Sequence, residues 1–334
     1  NNPDLRAVIS ATNTVAEMLT QDRCATVIYE STVYPGVTED ICGALLEERG
    51  FVPGEDFKLG YSPERINPGD RVHTVDKITK VIAAEDTESL DLLEQIYGSI
   101  TSGGVYRASS IKVAEASKAI ENAQRDINIA FVNEIAKLSA NVGISVWDVL
   151  DASRTKWNFL PFEPGLVGGH CIGVDPYYLS HLSEKVGLHP QVILAGRDTN
   201  DGMGAWIADQ LHAHRNGQAG RALILGVTFK ENVPDIRNSK VIDVASRLEE
   251  LGHEVHFADA HADADEVREA MGCELVELNG DRFDLVIGAV PHDEYRALDT
   301  DALRRLLKDD GTVADLKAQW RDSRAELGRA YWTL

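Results

Sequence analysis

"PDLRAVISATNTVAEMLTQDRCATVIYEST", residues 3–32, sets the fold class. Leu5, Val8, Ile9, Thr12, Val15 and Leu19 recur at helical spacing, and residues 24–32 then read as a buried strand rich in β-branched side chains. A helix running into a buried strand is the second half of a β–α–β crossover, which requires an earlier parallel strand. None precedes it, so the sequence predicts an α/β domain entered partway through.

Working outward, the same domain continues through a helix at 38–50, strands at 57–65 and 77–84, and a helix at 86–100. A long apolar-faced helix follows from about Ser110 to Asn141, with Gly143 placed to end it. About 30 helical residues span roughly 45 Å, too long for an ordinary crossover, so this segment reads as a linking helix or the core of a helical interface domain. More helix is expected across 189–214. The α/β pattern then restarts at "GQAGRALILGVTF", residues 217–229, with strands at 221–228, 253–260, 284–290 and 312–317 and helices at 239–251, 263–271 and 299–307. The expected layout is an incomplete α/β domain over 1–109, a helical middle over 110–218, and a complete parallel α/β domain over 219–334.

Composition narrows the class of molecule. A hydrophobic content of 43% with regular apolar runs marks a globular chain. Thirty-three basic residues against 54 acidic ones leave a net charge of −21, which disfavours nucleic-acid binding and obliges any anionic ligand to find a local basic pocket. No apolar stretch approaches the roughly 20 residues that span a bilayer, and the first residues lack a signal-peptide layout. Cys24, Cys42, Cys171 and Cys273 show neither a CxxC pair nor metal-ligand spacing. The expectation is a reduced cytoplasmic chain that holds no metal and meets neither nucleic acid nor membrane.

One loop carries more chemistry than its surroundings. "FLPFEPGLVGGHCIGVDPYYL", residues 159–179, sets Pro161, Pro164, Gly165, Gly168 and Gly169 before Cys171, with Asp175 four residues later. Residues of this kind neither continue a helix nor pair well in a sheet, so they shape a loop. Either the loop is a turn-rich connector with a small buried thiol, or it presents a nucleophile with bare backbone against a ligand. In the long helix Lys118 and Asn122 share a face, and together could hold a developing alkoxide; as isolated residues they could equally be solvated. No G-x-G-x-x-G occurs in the 334 residues. The loop after 221–228 carries Lys230 and Arg237, either a polar surface loop or a cationic clamp at the strand ends.

The blocks "YESTVYPGVTE", "YSPERINPGD", "IKVAEASKAIENAQRDINIAFVNE", "KWNFLPFEPGLVGGHCIGVDPYYL" and "LILGVTFKENVPDIRNS" resemble, in order and across essentially the whole chain, the nucleotide-sugar 6-dehydrogenases, the UDP-glucose/GDP-mannose dehydrogenase family. The "GGHC" and "ERINPGD" forms are most similar to the enzymes acting on UDP-N-acetylhexosamines, particularly UDP-N-acetylglucosamine 6-dehydrogenases; UDP-glucose enzymes more usually have serine at the position of His170. The resemblance implies two Rossmann-like domains, the first incomplete, joined by a helical dimerisation domain that makes a homodimer. It implies oxidation of a UDP-sugar C6 hydroxyl to a carboxylate with two NAD+. Cys171 would be the nucleophile that captures the aldehyde, with Lys118, Asn122 and Asp175 around the C6 oxygen, Glu64 serving thioester hydrolysis and Thr32 holding a catalytic water.

By the same resemblance, Arg65, Arg154, Phe159, Gly165, Gly168 and Lys230 would bind substrate, Arg154 from a partner subunit. Ser31, Thr32 and Arg237 would contact the cofactor. Pro68 stands where UDP-glucose enzymes have a second glutamate, so a hydrolytic role for that carboxylate does not carry over. The family's glycine-rich NAD turn lies roughly a hundred residues before "YEST", and this chain as given is expected to be inactive alone. The alternatives are a UDP-N-acetylmannosamine or UDP-glucose 6-dehydrogenase, a non-catalytic UDP-sugar-binding scaffold, or a β-hydroxyacid dehydrogenase of the 6-phosphogluconate type. Two NADH per sugar mark the dehydrogenases, none the scaffold and one the last.

Overall fold

A computed structural model describes residues 3–67, 69–70, 72–169 and 172–334. The chain forms two compact units, one of Asn1–Gln124 with Val174–Gln191 and one of Arg125–Gly173 with Val192–Leu334.

In the first unit, helix α1 (Arg6–Met18) buries Val8, Thr12 and Ala16, one residue per turn along a single stripe. It leads into strand β1 (Ala25–Tyr29), as the opening stretch predicts. A π-helical turn at Val37–Gly43 runs into the short helix α2 (Ala44–Glu48), where the sequence pattern suggests one continuous α-helix. Then come β2 (Phe57–Tyr61), β3 (Lys80–Ala84), α3 (Thr87–Gly98) and β4 (Val105–Arg107).

The sheet has the order β1-β2-β3-β4, with β1/β2 and β3/β4 parallel and β2/β3 antiparallel. Strand β2 stops well short of the expected residue 65, because Pro63 cannot donate to a ladder. Val81 and Ala83 pack with Val27, Leu59 and Tyr61 on one face of the sheet, while Ile82 packs with Leu93 and Tyr97 of α3 on the other.

Helix α4 (Ile111–Val142) is 32 residues long, within one residue of the expected bounds at each end. It begins in the first unit and ends in the second. Helix α5 (Val146–Arg154) follows, its N-cap Ser145 accepting from the Asp148 amide. Helix α6 (Asp175–Lys185) belongs to the first unit, and α7 (Gln191–Asp201) and α8 (Met203–His214) come next.

The rest of the second unit alternates strand and helix: β5 (Arg221–Leu225), α9 (Val241–Glu250), β6 (Glu254–Ala258), α10 (Ala264–Met271), β7 (Phe283–Gly288), α11 (Asp293–Arg296), α12 (Thr300–Leu306), β8 (Leu307–Asp315), α13 (Arg324–Leu327) and β9 (Tyr331–Thr333). All neighbours pair in parallel in the order β6-β5-β7-β8-β9. Along β5, Ala222 and Ile224 join a core with α9 while Leu223 and Leu225 join another with α12. Both faces are covered, which is why these strands read as unbroken apolar runs. Strand β5 ends sooner than the expected 228 because Gly226 turns to φ +94°, where a side-chain carbon would lie 2.4 Å from Val290 Cβ. The chain just past β5 and the chain just past β7 therefore lie in direct contact.

Candidate functional site

The two units each hold part of the predicted site. In the first, Lys118 and Asn122 lie on α4 and Asp175 opens α6. Lys118 and Asp175 are buried, and Asn122 Nδ2 donates to Asp175 Oδ2 at 2.5 Å. The 53 residues that separate this pair in sequence are closed by tertiary folding. Burial pushes the Asp175 carboxyl up to about 6, against the pull of the Asn122 amide and the Lys118 charge. A buried ammonium, an amide donor and a carboxyl that titrates close to neutrality can orient a hydroxyl and take or return its proton.

Ser31 and Thr32 follow directly from the end of β1. Ser31 is exposed, and its carbonyl accepts from the Tyr61 hydroxyl at 3.0 Å. Glu64 is exposed too, with Oε1 accepting from the Ile66 amide at 2.5 Å. The Arg65 guanidinium meets Glu121 of α4 at 2.8 and 3.3 Å and the Thr79 carbonyl at 2.9 Å, so the structure ties it to the protein itself.

Lys80 supports both segments and escaped sequence reasoning. It is buried, donates to the Pro63 carbonyl at 3.3 Å, lies 3.7 Å from Glu30 and sits over the Tyr97 ring at 5.0 Å. Tyr97 in turn donates its hydroxyl to Glu30 at 2.7 Å. A lysine at a strand end gives no sequence signal of such a role, since most are solvated.

In the second unit, Arg154 pairs with Glu163 at 2.7 Å and Asp151 at 3.3 Å, and Phe159 packs against the main core. Gly165 exchanges two hydrogen bonds with the Asn133 side chain. At Gly168 a side-chain carbon would lie 2.6 Å from the Asn238 carbonyl, so the loop backbone rests directly on the segment after β5. Gly168, Lys230, Lys240 and Lys317 line one cavity together with Leu166 and Phe229. Three lysines thus meet at one cavity, which Glu231 also lines, while Lys240 is paired with Asp201 and Asp243 at 3.1 and 3.0 Å.

Lys317, at the end of β8, is a second residue the sequence did not mark. It donates to the Pro164 carbonyl at 3.0 Å, and burial lowers its pKa while Glu163 and Glu231 oppose that. Arg237 is exposed and forked onto Asp235 at 2.6 and 2.9 Å. The loop holding Lys230 is pinned by His292, whose Nδ1 accepts from the Asn232 amide at 2.9 Å and whose Nε2 lies 3.1 Å from Thr228 Oγ1 and 3.2 Å from Asp259. His170, Cys171 and Pro68 lie outside the described residues. Among the described residues no helix is long and apolar enough to cross a membrane.

Comparison with known proteins places these residues in a family. Residues 1–101, 112–202 and 223–322 match respectively the NAD binding domain, the central domain and the UDP binding domain of the UDP-glucose/GDP-mannose dehydrogenase family. The chain is 47% identical to the Protein CapL of Staphylococcus aureus, covering 100% of this chain and 80% of that protein. It is 46% identical to the UDP-N-acetyl-D-glucosamine 6-dehydrogenase of Salmonella typhi, over 94% of this chain and 75% of that one. The solved structure of the NDP-N-acetyl-D-galactosaminuronic acid dehydrogenase of Methanosarcina mazei Go1 superposes with a TM-score of 0.85 at 25% identity, covering 100% of this chain and 73% of that one. The cofactor is NAD, as the match to the NAD binding domain requires. Three domain matches in order along the sequence, with relatives at 47% and 46% identity, make the chain a member of the UDP-glucose/GDP-mannose dehydrogenase family.

Proposed function

We propose that this chain oxidises the C6 hydroxyl of a UDP-N-acetylhexosamine, UDP-N-acetylglucosamine foremost, to the uronate, with Cys171 as nucleophile. The observation that carries the reading is the Lys118–Asn122–Asp175 group, its lysine and carboxyl buried and the carboxyl raised to about 6. The likeness to the UDP-N-acetyl-D-glucosamine 6-dehydrogenase of Salmonella typhi supports the choice of sugar.

Asn122 and Lys118 hold the C6 oxygen, and Asp175 with an ordered water takes its proton. NAD, when bound, accepts hydride, one molecule for each of the two oxidations. The Cys171 thiolate adds to the aldehyde carbon and the oxygen takes up a proton, giving a thiohemiacetal. Loss of that proton and of the second hydride leaves a thioester. Glu64 then activates water, which attacks the thioester carbonyl and expels the thiolate. The exposed Ser31 hydroxyl and the adjoining Thr32 suit the nicotinamide end of the cofactor, while no G-x-G-x-x-G turn in the 334 residues suits its pyrophosphate.

Arg65, Arg154, Phe159, Gly165, Gly168 and Lys230 form the substrate set and Arg237 the cofactor contact, with Arg154 and Arg237 acting across a subunit boundary once released from their present carboxylates. The parts divide at 1–109, 110–218 and 219–334, and the protein works as a cytoplasmic homodimer joined through the central helices. The test uses the full-length protein: two NADH form per UDP-N-acetylglucosamine consumed, with UDP-glucose a much poorer substrate. Glu64→Gln should accumulate a sugar-nucleotide adduct on the Cys171 peptide, seen by mass spectrometry after a single turnover with measured NADH release. One NADH per sugar, or normal turnover by Cys171→Ala, would remove the nucleophile assignment.

A further inference from the structure

The peptide joining Pro164 to Gly165 is gripped from two sides. Lys317 Nζ donates to the Pro164 carbonyl at 3.0 Å. Asn133, fully buried on α4, donates from Nδ2 to the Gly165 carbonyl at 3.0 Å and accepts at Oδ1 from the Gly165 amide at 2.8 Å. One carboxamide thus satisfies both backbone groups of a loop residue, as a neighbouring strand would.

Asn133 is itself held. Its Nδ2 also reaches Asn200 Oδ1 at 2.8 Å, and Asn200 Nδ2 donates to the Asp126 carboxylate at 2.7 Å and the Asp126 carbonyl at 3.0 Å. Asp126 is fully buried against Arg197, 2.7 Å away. A buried ion pair of this kind contributes little net stability compared with apolar packing, and its value lies in the single arrangement it permits. Here that arrangement ends on the loop. Four side chains from α4 and α7 form one hydrogen-bonded path whose last member is the Gly165 backbone.

We propose that Asn133 is a positioning residue for sugar-nucleotide binding, holding the 159–169 loop in its binding shape before the ligand arrives. Asp126, Asn200 and Arg197 fix the rotamer of Asn133. The proposal rests on the reading that this loop binds the UDP-sugar. A loop ordered in advance leaves less conformational entropy to be lost on binding. The substitution Asn133→Ala frees both Gly165 groups without touching a residue that meets substrate. Asn200→Ala tests the same clamp one step back, because it removes the partner that holds the Asn133 carboxamide at 2.8 Å.

The experiment compares full-length wild type, Asn133→Ala, Asn133→Asp and Asn200→Ala by amide hydrogen exchange without ligand and by calorimetric titration with UDP. In Asn133→Ala the 159–169 amides should exchange about tenfold faster while the β5 and β7 amides do not change, and the UDP Kd should rise about tenfold, with KM for the sugar nucleotide rising alongside and kcat within about twofold, and Asn200→Ala should move each reading the same way by less. Asn133→Asp keeps the acceptor for the Gly165 amide and should fall between. Should Asn133→Ala not fold, the Asn200→Ala arm decides. Wild-type loop exchange and UDP affinity in the folded variants would overturn the clamp. A wild type that binds no UDP would overturn the functional reading, while the exchange arm would still judge the clamp on its own.

Discussion

Asp175 gives the candidate site a pH dependence of its own. In the folded chain burial raises its pKa from the ordinary 3.8 to about 6. Between those values the folded chain keeps a proton that the unfolded chain has released, so stability falls as pH rises through that window and is lowest above it. Asp175→Asn removes the charge and keeps the shape, so its urea midpoint should gain on wild type from pH 4 to pH 6 and then hold a constant lead. A shift of this size corresponds to about 2–3 kcal/mol at most. Turnover should lose its acid limb near pH 6 in the same variant and be slow throughout. Equal pH slopes for the two proteins would show that Asp175 does not titrate there. The sequence points to Asp175 because the residue sits in a recognisable loop, but its pKa comes from the burial of α6 and from Asn122, neither visible in a string of residues.

The joint between α4 and the π-helical turn at Val37–Gly43 depends on Glu115, which no motif singled out. Its carboxylate is fully buried and accepts from the Gly36 amide at 2.5 Å and the Thr38 amide at 2.9 Å. Burial raises its pKa and those amides resist the rise. The carboxylate caps the turn from another element, doing what an N-cap side chain does within its own. Glu115→Ala leaves both amides buried without an acceptor and should cost about 1–3 kcal/mol for each. Faster exchange of the 36–43 amides and a lower urea midpoint are the expected readings, with Glu115→Gln less affected. Unchanged exchange in Glu115→Ala would show that the turn is held by its own sequence. Helical periodicity marked α4 well, since 32 residues of pattern average out local exceptions, whereas the π-helical turn shares its apolar spacing with an ordinary α-helix and was read as one.

At the scale of the whole molecule, α4 leaves Phe131, Leu138 and Val142 more than half exposed at 59%, 56% and 59%. Spacings of seven and eleven residues put all three on one face of the helix. A stripe of large apolar side chains on a central helix supports the proposed homodimer, because covering a phenylalanine and a leucine gains about 1.5–3 kcal/mol each. A charge placed in that stripe should undo the association. Phe131→Asp in the full-length protein is expected to shift the mass seen by light scattering from dimer to monomer, with far-ultraviolet circular dichroism unchanged. A variant that stays dimeric would move the interface to another face.

The α/β class, the long helix and the parallel second sheet were determined by the sequence alone, since each rests on a repeat of side-chain character that local geometry converts directly into structure. Cys171, Glu64 and Lys230 were also named from sequence, through the motifs that hold them. Tertiary folding alone brings Asn122 to Asp175, runs β2 and β3 antiparallel, pairs Arg65 with Glu121, and aims Lys80, Lys317 and Asn133 at loop carbonyls. Periodicity records which face of an element is buried and says nothing of which partner buries it. A polar residue gains its role from the neighbour that long-range folding brings within about 3 Å, and that neighbour is chosen by the packing of the whole unit.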